Sequence, residues 1–122
     1  MRAALAGNLE QLKALLLGGA DVNERNDEGR TALMFAAVNR STSCSEELLE
    51  NGADINAKAS DGGTALMFAA SEGDADLVKV LLSNGADVSG KFIETEQTAL
   101  KLASEHGYDE IVGLLQAAGA KE

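Results

Sequence analysis

Proline is absent from this 122-residue chain, tryptophan is absent with it, and aromatic residues make up only 3% of the total. Without proline the turns must come from glycine, asparagine and aspartate, and the chain carries 13 glycines. Without large rings the core must be assembled from alanine, leucine and valine, whose small size lets helices approach closely. One cysteine, Cys44, cannot form an internal disulfide, and His106 is the only histidine. Basic side chains are scarce: 10 against 20 acidic ones, for a formal net charge of −10.

That balance argues against a direct nucleic-acid role, because such proteins present positive charge to phosphates. An anionic membrane surface would repel the chain for the same reason. A charge-steered partner would bring a basic surface, while the same acid excess also serves solubility. The apolar stretch near the N-terminus is interrupted by Asn8, Glu10, Gln11 and Lys13, unlike a signal peptide. No run approaches transmembrane length. The expected setting is intracellular and reducing, cytoplasmic or nuclear.

What the chain does contain is a repeat. Gly-Ala-Asp begins at Gly19, Gly52 and Gly85, and Gly119-Ala120 follows, giving spacings of 33, 33 and 34 residues. Thr-Ala-Leu begins at Thr31, Thr64 and Thr98, again 33 and 34 apart. Each threonine precedes the next glycine marker by 21 residues, so the extra residue lies in the last connection, DVSGKFIETEQ. Two markers holding register along the chain define units of approximately 1–23, 24–56, 57–89 and 90–122 in a single domain.

Each unit reads alike. Thr31, Thr64 and Thr98 stand before short apolar segments as helix N-caps do, a hydroxyl accepting an orphan amide of the first turn. The segment ALMFAA, after both Thr31 and Thr64, forms a short first helix. Gly7, Gly73 and Gly107 end these helices in the left-handed position that glycine adopts without strain. Second helices follow, with EQLKALLL, ADLVKVLL and DEIVGLLQ placing apolar residues at helical spacing. The polar connections DVNERNDEGR, DINAKASDGG and DVSGKFIETEQ have hairpin character.

Helix–turn–helix units of this length, with Thr-x-Leu opening the first helix and Gly-Ala-Asp-Val-Asn closing the second, resemble ankyrin repeats. The resemblance covers essentially the whole chain and implies an all-α solenoid of about three and a half stacked units. No single unit can bury its own apolar face, so each stabilises the next. The family's proline after the threonine is Ala32, Ala65 and Ala99 here, and its histidine is Met34, Met67 and Lys101. Inter-repeat packing is therefore expected to rest on apolar contact. Ala3 and Ala4 align with Ala36-Ala37 and Ala69-Ala70, so the first unit begins partway through its first helix. Lys101, Ser104 and Gln116 replace Met67, Ala70 and Leu82, as suits a face that no further repeat covers.

No catalytic motif, phosphate loop or cofactor signature is present. His106 has no partnering ligands at metal spacing. Cys44 aligns with Leu77 and Ile111 and reads as a buried, inert thiol. Around it, Arg40 stands at the glycine position, Ser45 replaces Val78 and Glu47 replaces Val80, which makes the second unit the weakest. Asn23 and Asn56 read as turn residues that bond local backbone. Within the family resemblance, asparagines in this setting are similar to substrates of an asparaginyl hydroxylase.

Function is expected in surface complementarity: the resemblance implies a protein-binding module, monomeric, that uses hairpin tips and the first-helix groove, as ankyrin proteins generally do. Carried over position by position, the resemblance implies tips at Arg25, Asp27, Glu28 and Arg30, then Lys58, Ser60, Asp61 and Gly63, then Lys91, Phe92, Ile93 and Gln97. It implies a groove lined by Val38, Asn39, Ser71, Glu72, Glu105 and His106. Phe92 and Ile93 stand together at a tip that is otherwise polar. One or both face solvent as a partner anchor, or Phe92 folds back onto Leu100 or its neighbours. Asp27, Glu28, Asp61, Glu72, Glu94 and Glu96 are the acids that would meet a basic partner. The alternative is a structural fragment of a longer array with its binding surface elsewhere.

Overall fold

The computed structural model describes residues 7–121. Ala3 and Ala4, on which the truncation of the first unit was read, lie outside them. Seven helices occur among the described residues: α1 Leu9–Leu17, α2 Ala32–Val38, α3 Thr42–Glu50, α4 Ala65–Glu72, α5 Ala75–Ser83, α6 Ala99–Glu105 and α7 Asp109–Ala117. The first helices α2, α4 and α6 pack side by side in one layer. The second helices α1, α3, α5 and α7 form another layer behind it, each of the last three packed on its own unit's first helix. This is the ankyrin solenoid that the repeat implied.

Local chemistry explains each start and stop. The hydroxyls of Thr31, Thr64 and Thr98 accept the amides of Met34, Met67 and Lys101. Second helices are capped in the same way by Asn8, Ser41 and Asp74, accepting from Gln11, Cys44 and Leu77. Only α7 lacks a side-chain cap, because Tyr108 stands at that position.

Between the layers the small residues decide the spacing. Ala36, Ala37, Ala69, Ala70 and Ala103 are fully buried, and so are Cys44, Leu48, Leu77 and Leu81. Alanine on the facing sides of α2, α4 and α6 lets those helices approach, while leucines from the second layer fill behind them. Full burial of one leucine contributes about 1.5–3 kcal/mol, so repeat-to-repeat contact supplies what no isolated unit could. Cys44 is buried in this core, as its alignment with Leu77 and Ile111 implied.

Apolar contact is not the whole of the inter-repeat interaction. Asn23 donates from Nδ2 to Gly52 O (3.2 Å) and accepts the Asp54 amide at Oδ1 (2.7 Å). Asn56 repeats this one unit on, donating to Gly85 O (3.5 Å) and accepting from Asp87 N (2.8 Å). The expectation that these asparagines bond local backbone is thus corrected: their side chains cross to the next unit. The local turn is held by the preceding aspartates, with Asp21 accepting from Asn23 N and Asp54 from Asn56 N. The third unit has Ser89 instead, which turns back so that its hydroxyl and amide both donate to Asp87. Those donors hold the Asp87 carboxyl below its ordinary range. Its contribution is therefore present above that range and fades as the pH falls through the lowered value.

The second unit carries visible strain. Gly73 and Gly107 end their first helices with φ of 75° and 73°, and Arg40 occupies the same slot at 58°. A side chain in the left-handed region costs roughly 1–2 kcal/mol. Ser45, where the third unit has Val78, is fully buried and spends its hydroxyl on Ser41 O.

Arg40→Gly is expected to stabilise the chain by roughly 0.5–1 kcal/mol, the strain relief exceeding glycine's extra unfolded-state entropy. It should also slow amide exchange over residues 40–50, which in the parent is expected to open faster than 73–84. A urea midpoint that falls on substitution would refute the strain argument. Asn56→Ala, losing two inter-repeat hydrogen bonds, should cost about 1 kcal/mol or more. Ser89→Ala should cost less by the same measurement; equal losses would mean that the crossing bonds contribute nothing special.

Candidate partner-binding surface

The three hairpin tips are joined in series. Asn26 N donates to Arg30 O, Ala59 N to Gly63 O and Phe92 N to Gln97 O, closing each tip. Ser60 N then donates to Glu28 O and Ile93 N to Asp61 O, linking each tip to the one before. Arg25 adds a side-chain clamp, its guanidinium donating to Lys58 O (2.6 Å) and Gly29 O (3.2 Å). The tips therefore form one continuous strip, held by backbone bonds that carry no requirement on the outward side chains.

The third tip is longer by one residue, and its closing bond spans Phe92 to Gln97 where the first spans Asn26 to Arg30. Glu96 fills, at φ 57°, the left-handed slot that Gly29 and Gly62 hold at 74° and 89° in the other two tips. Phe92 and Ile93 lie before it, in the places of Ala59 and Ser60, where one side chain turns inward and the next outward. Phe92 is half-buried and meets Phe68 edge to face, ring centroids 6.1 Å apart. Ile93 stands 69% exposed. Phe92 does fold back, packing on the core and meeting Phe68 of α4 in the preceding unit.

Arg30 completes that stack, its guanidinium 5.2 Å from the Phe68 centroid and 3.9 Å from the Asp61 carboxylate. Gly63 makes the stack possible: a Cβ there would lie 2.7 Å from Phe68 and 2.9 Å from Phe92. This cluster was not foreseen. Its sequence signal was the glycine at 63, where the neighbouring units carry Arg30 and Gln97 ahead of the threonine.

The remaining residues take several roles. Asp27, Glu28, Lys58, Ser60 and Asp61 lie exposed along the tips. Lys91 is exposed and pairs with Glu96 at 3.4 Å. Gln97 reaches back to donate to Glu105 (2.7 Å), tying the third tip to the groove. Val38 and Ser71 are half-buried, whereas Asn39, Glu72, Glu105 and His106 are exposed at the ends of the first helices. His106 stacks on Tyr108 at 5.4 Å, and its Nδ1 donates to Leu102 O (2.7 Å). The carbonyl can only accept, which fixes the proton on Nδ1.

A recess of about 330 Å³ opens between the second and third tips, lined by Ser60, Asp61, Phe92, Ile93, Glu94, Thr95 and Gln97. A smaller one of about 250 Å³, lined by Asp27, Glu28, Arg30, Ser60 and Asp61, lies between the first and second. Both are open and rimmed by carboxylates, suited to a side chain inserted from a partner and not to enclosing a small molecule. Among the described residues no three His, Cys, Asp or Glu side chains are grouped to hold a metal ion. No helix there is long and apolar enough to cross a membrane.

The family description "ankyrin repeats", in three copies, matches residues 1–91. Over 48 residues, 39% of this chain, the sequence is 50% identical to a mitochondrial disaggregase of Bos taurus and 46% identical to that of Homo sapiens. The match spans only 7% of the length of either relative.

Phe92→Ala should cost about 2 kcal/mol, from lost burial and the edge-to-face contact with Phe68. Ile93→Ala should change stability by no more than about 0.5 kcal/mol, as an exposed substitution does. Urea unfolding of the two variants tests this. Equal losses would show that Ile93 is packed in solution.

Proposed function

The chain belongs to the ankyrin repeat family, and we propose that it is a monomeric, non-enzymatic binding module that grips one partner protein across its hairpin tips. Ankyrin repeats generally serve protein–protein interaction. The finer reading rests on one observation, the exposure of Ile93 beside the recess between the second and third tips. Ile93 is the apolar anchor, and Phe92 is the support that holds it out. The groove residues Val38, Asn39, Ser71, Glu72, Glu105 and His106 flank the same strip and extend the footprint.

The partner presents a basic surface. Asp61, Glu94 and Glu96 surround the anchor, and Asp27, Glu28 and Glu72 continue the negative field along the stack, in a chain of net charge −10. Such a field accelerates encounter and is screened over a Debye length of about 8 Å at physiological ionic strength. A reducing compartment, cytoplasmic or nuclear, suits a chain whose single thiol is buried.

Affinity capture followed by kinetics tests this reading. Partners should be retained by the parent chain and lost with Ile93→Asp. Added salt should slow association while leaving dissociation nearly unchanged, and Ile93→Ala should speed dissociation roughly tenfold. Association indifferent to salt would remove the steering role. Capture unaffected at Ile93 would move the binding surface off the tips, as in a fragment of a longer array.

A further inference from the structure

The outer layer of second helices carries a regular pattern of charge with one gap. Nine residues before the glycine marker, the first, third and fourth units have Glu10, Asp76 and Glu110, and the second unit has Ser43. All four positions are exposed and lie in the first turn of a second helix. In α1, α5 and α7 the carboxylates complement the positive end of the helix. The first turn of α3 holds no acidic residue.

A second observation indicates what an anion at residue 43 would meet. Glu110 pairs with Lys79 of the preceding unit, Nζ to Oε2 at 3.0 Å. Lys79 stands six residues before its glycine marker, and the same place one unit back from Ser43 is Lys13. Lys13 is exposed and has no carboxylate within ion-pair distance among the described residues. The α1–α3 contact repeats the α5–α7 contact, so the repeat register sets Lys13 opposite residue 43, as it sets Lys79 opposite Glu110. The first unit thus supplies the cation and the second lacks the anion.

We propose that Ser43 is a phosphorylation site, and that its phosphate completes this pair with Lys13 and the α3 N-terminus, tightening the weakest unit. The transfer moves the γ-phosphoryl group of a nucleoside triphosphate to Ser43 Oγ. The bond to the β-phosphate oxygen breaks, the Oγ–P bond forms, the hydroxyl proton passes to the kinase's base, and the nucleoside diphosphate leaves. Ser43 is the one exposed hydroxyl of its cluster: Ser41 caps α3, Thr42 is half-buried, and Ser45 is buried. The strained Arg40 and the buried Ser45 favour local opening of this segment, which lets the acceptor enter a kinase cleft. Glu46, Glu47 and Glu50 follow Ser43, so a basic substrate cleft is the kind that fits. Glu46 and Glu47, three and four residues on, oppose the phosphate. Against them stand its near-double charge at the favourable end of the helix and the pairing with Lys13. The proposal is independent of the tip surface and its partner.

Two measurements test it on the intact chain. Incubated with MgATP and a serine kinase whose substrate cleft is basic, the chain should take up one phosphoryl group, mapped by mass spectrometry to Ser43 and abolished by Ser43→Ala. No uptake, or uptake at Ser41 or Thr42 instead, would overturn the assignment. Separately, phosphoserine installed at position 43 by semisynthesis should raise the folding constant about threefold and slow amide exchange over residues 40–50. In a Lys13→Gln background much of that gain should disappear. Unchanged or faster exchange, or a gain that survives Lys13→Gln in full, would overturn the proposed role.

Discussion

Burial of small-residue faces between successive first helices is the interaction on which the rest of this structure depends. Ala36 and Ala37 of α2, Ala69 and Ala70 of α4 and Ala103 of α6 have no exposed surface, and they bring the helix axes close enough for the leucines behind to pack. Each unit offers an apolar face on two sides and can cover neither alone. The chain is therefore a quasi-one-dimensional stack whose cohesion is set unit by unit at the interfaces.

The hydrogen bonds follow from that geometry. Once successive units stand one helix diameter apart, a side chain as short as asparagine can bridge them, and Asn23 and Asn56 do so. The backbone of each tip likewise reaches the previous one. These bonds draw on amides and carbonyls that every unit possesses, so the outward side chains are free of structural duty. That separation makes the tips available for recognition. It is incomplete where a tip side chain is drawn inward: Arg25, Arg30 and Phe92 hold the stack together as well as lining the candidate surface.

The second unit shows what happens when register positions are filled by the wrong chemistry. Arg40 adopts a glycine conformation, Ser45 occupies a valine site, and Glu47 is half-buried with its carboxylate accepting from Asn51. The unit still folds, because neighbours on both sides impose its geometry. The strain remains local, and this segment is where opening of the array is expected first.

The sequence by itself determined the number and order of the helices, their caps and the repeat register. Threonine caps, left-handed glycines and helical spacing of leucines are local requirements, met within a few residues and hence legible along the chain. The exposed position of the tips was legible too, through their polar composition. Tertiary structure alone decided three things. Asn23 and Asn56 bond 29 and 31 residues away because their partners become near only when units stack. Phe92 and Ile93 part company because the bonds that tie each tip to the one before turn alternate residues inward and outward, one side chain onto Phe68 and the other to solvent. Lys79 meets Glu110 across two units by the same stacking, a neighbourhood that depends on the distance between two surfaces and not on any property of either segment.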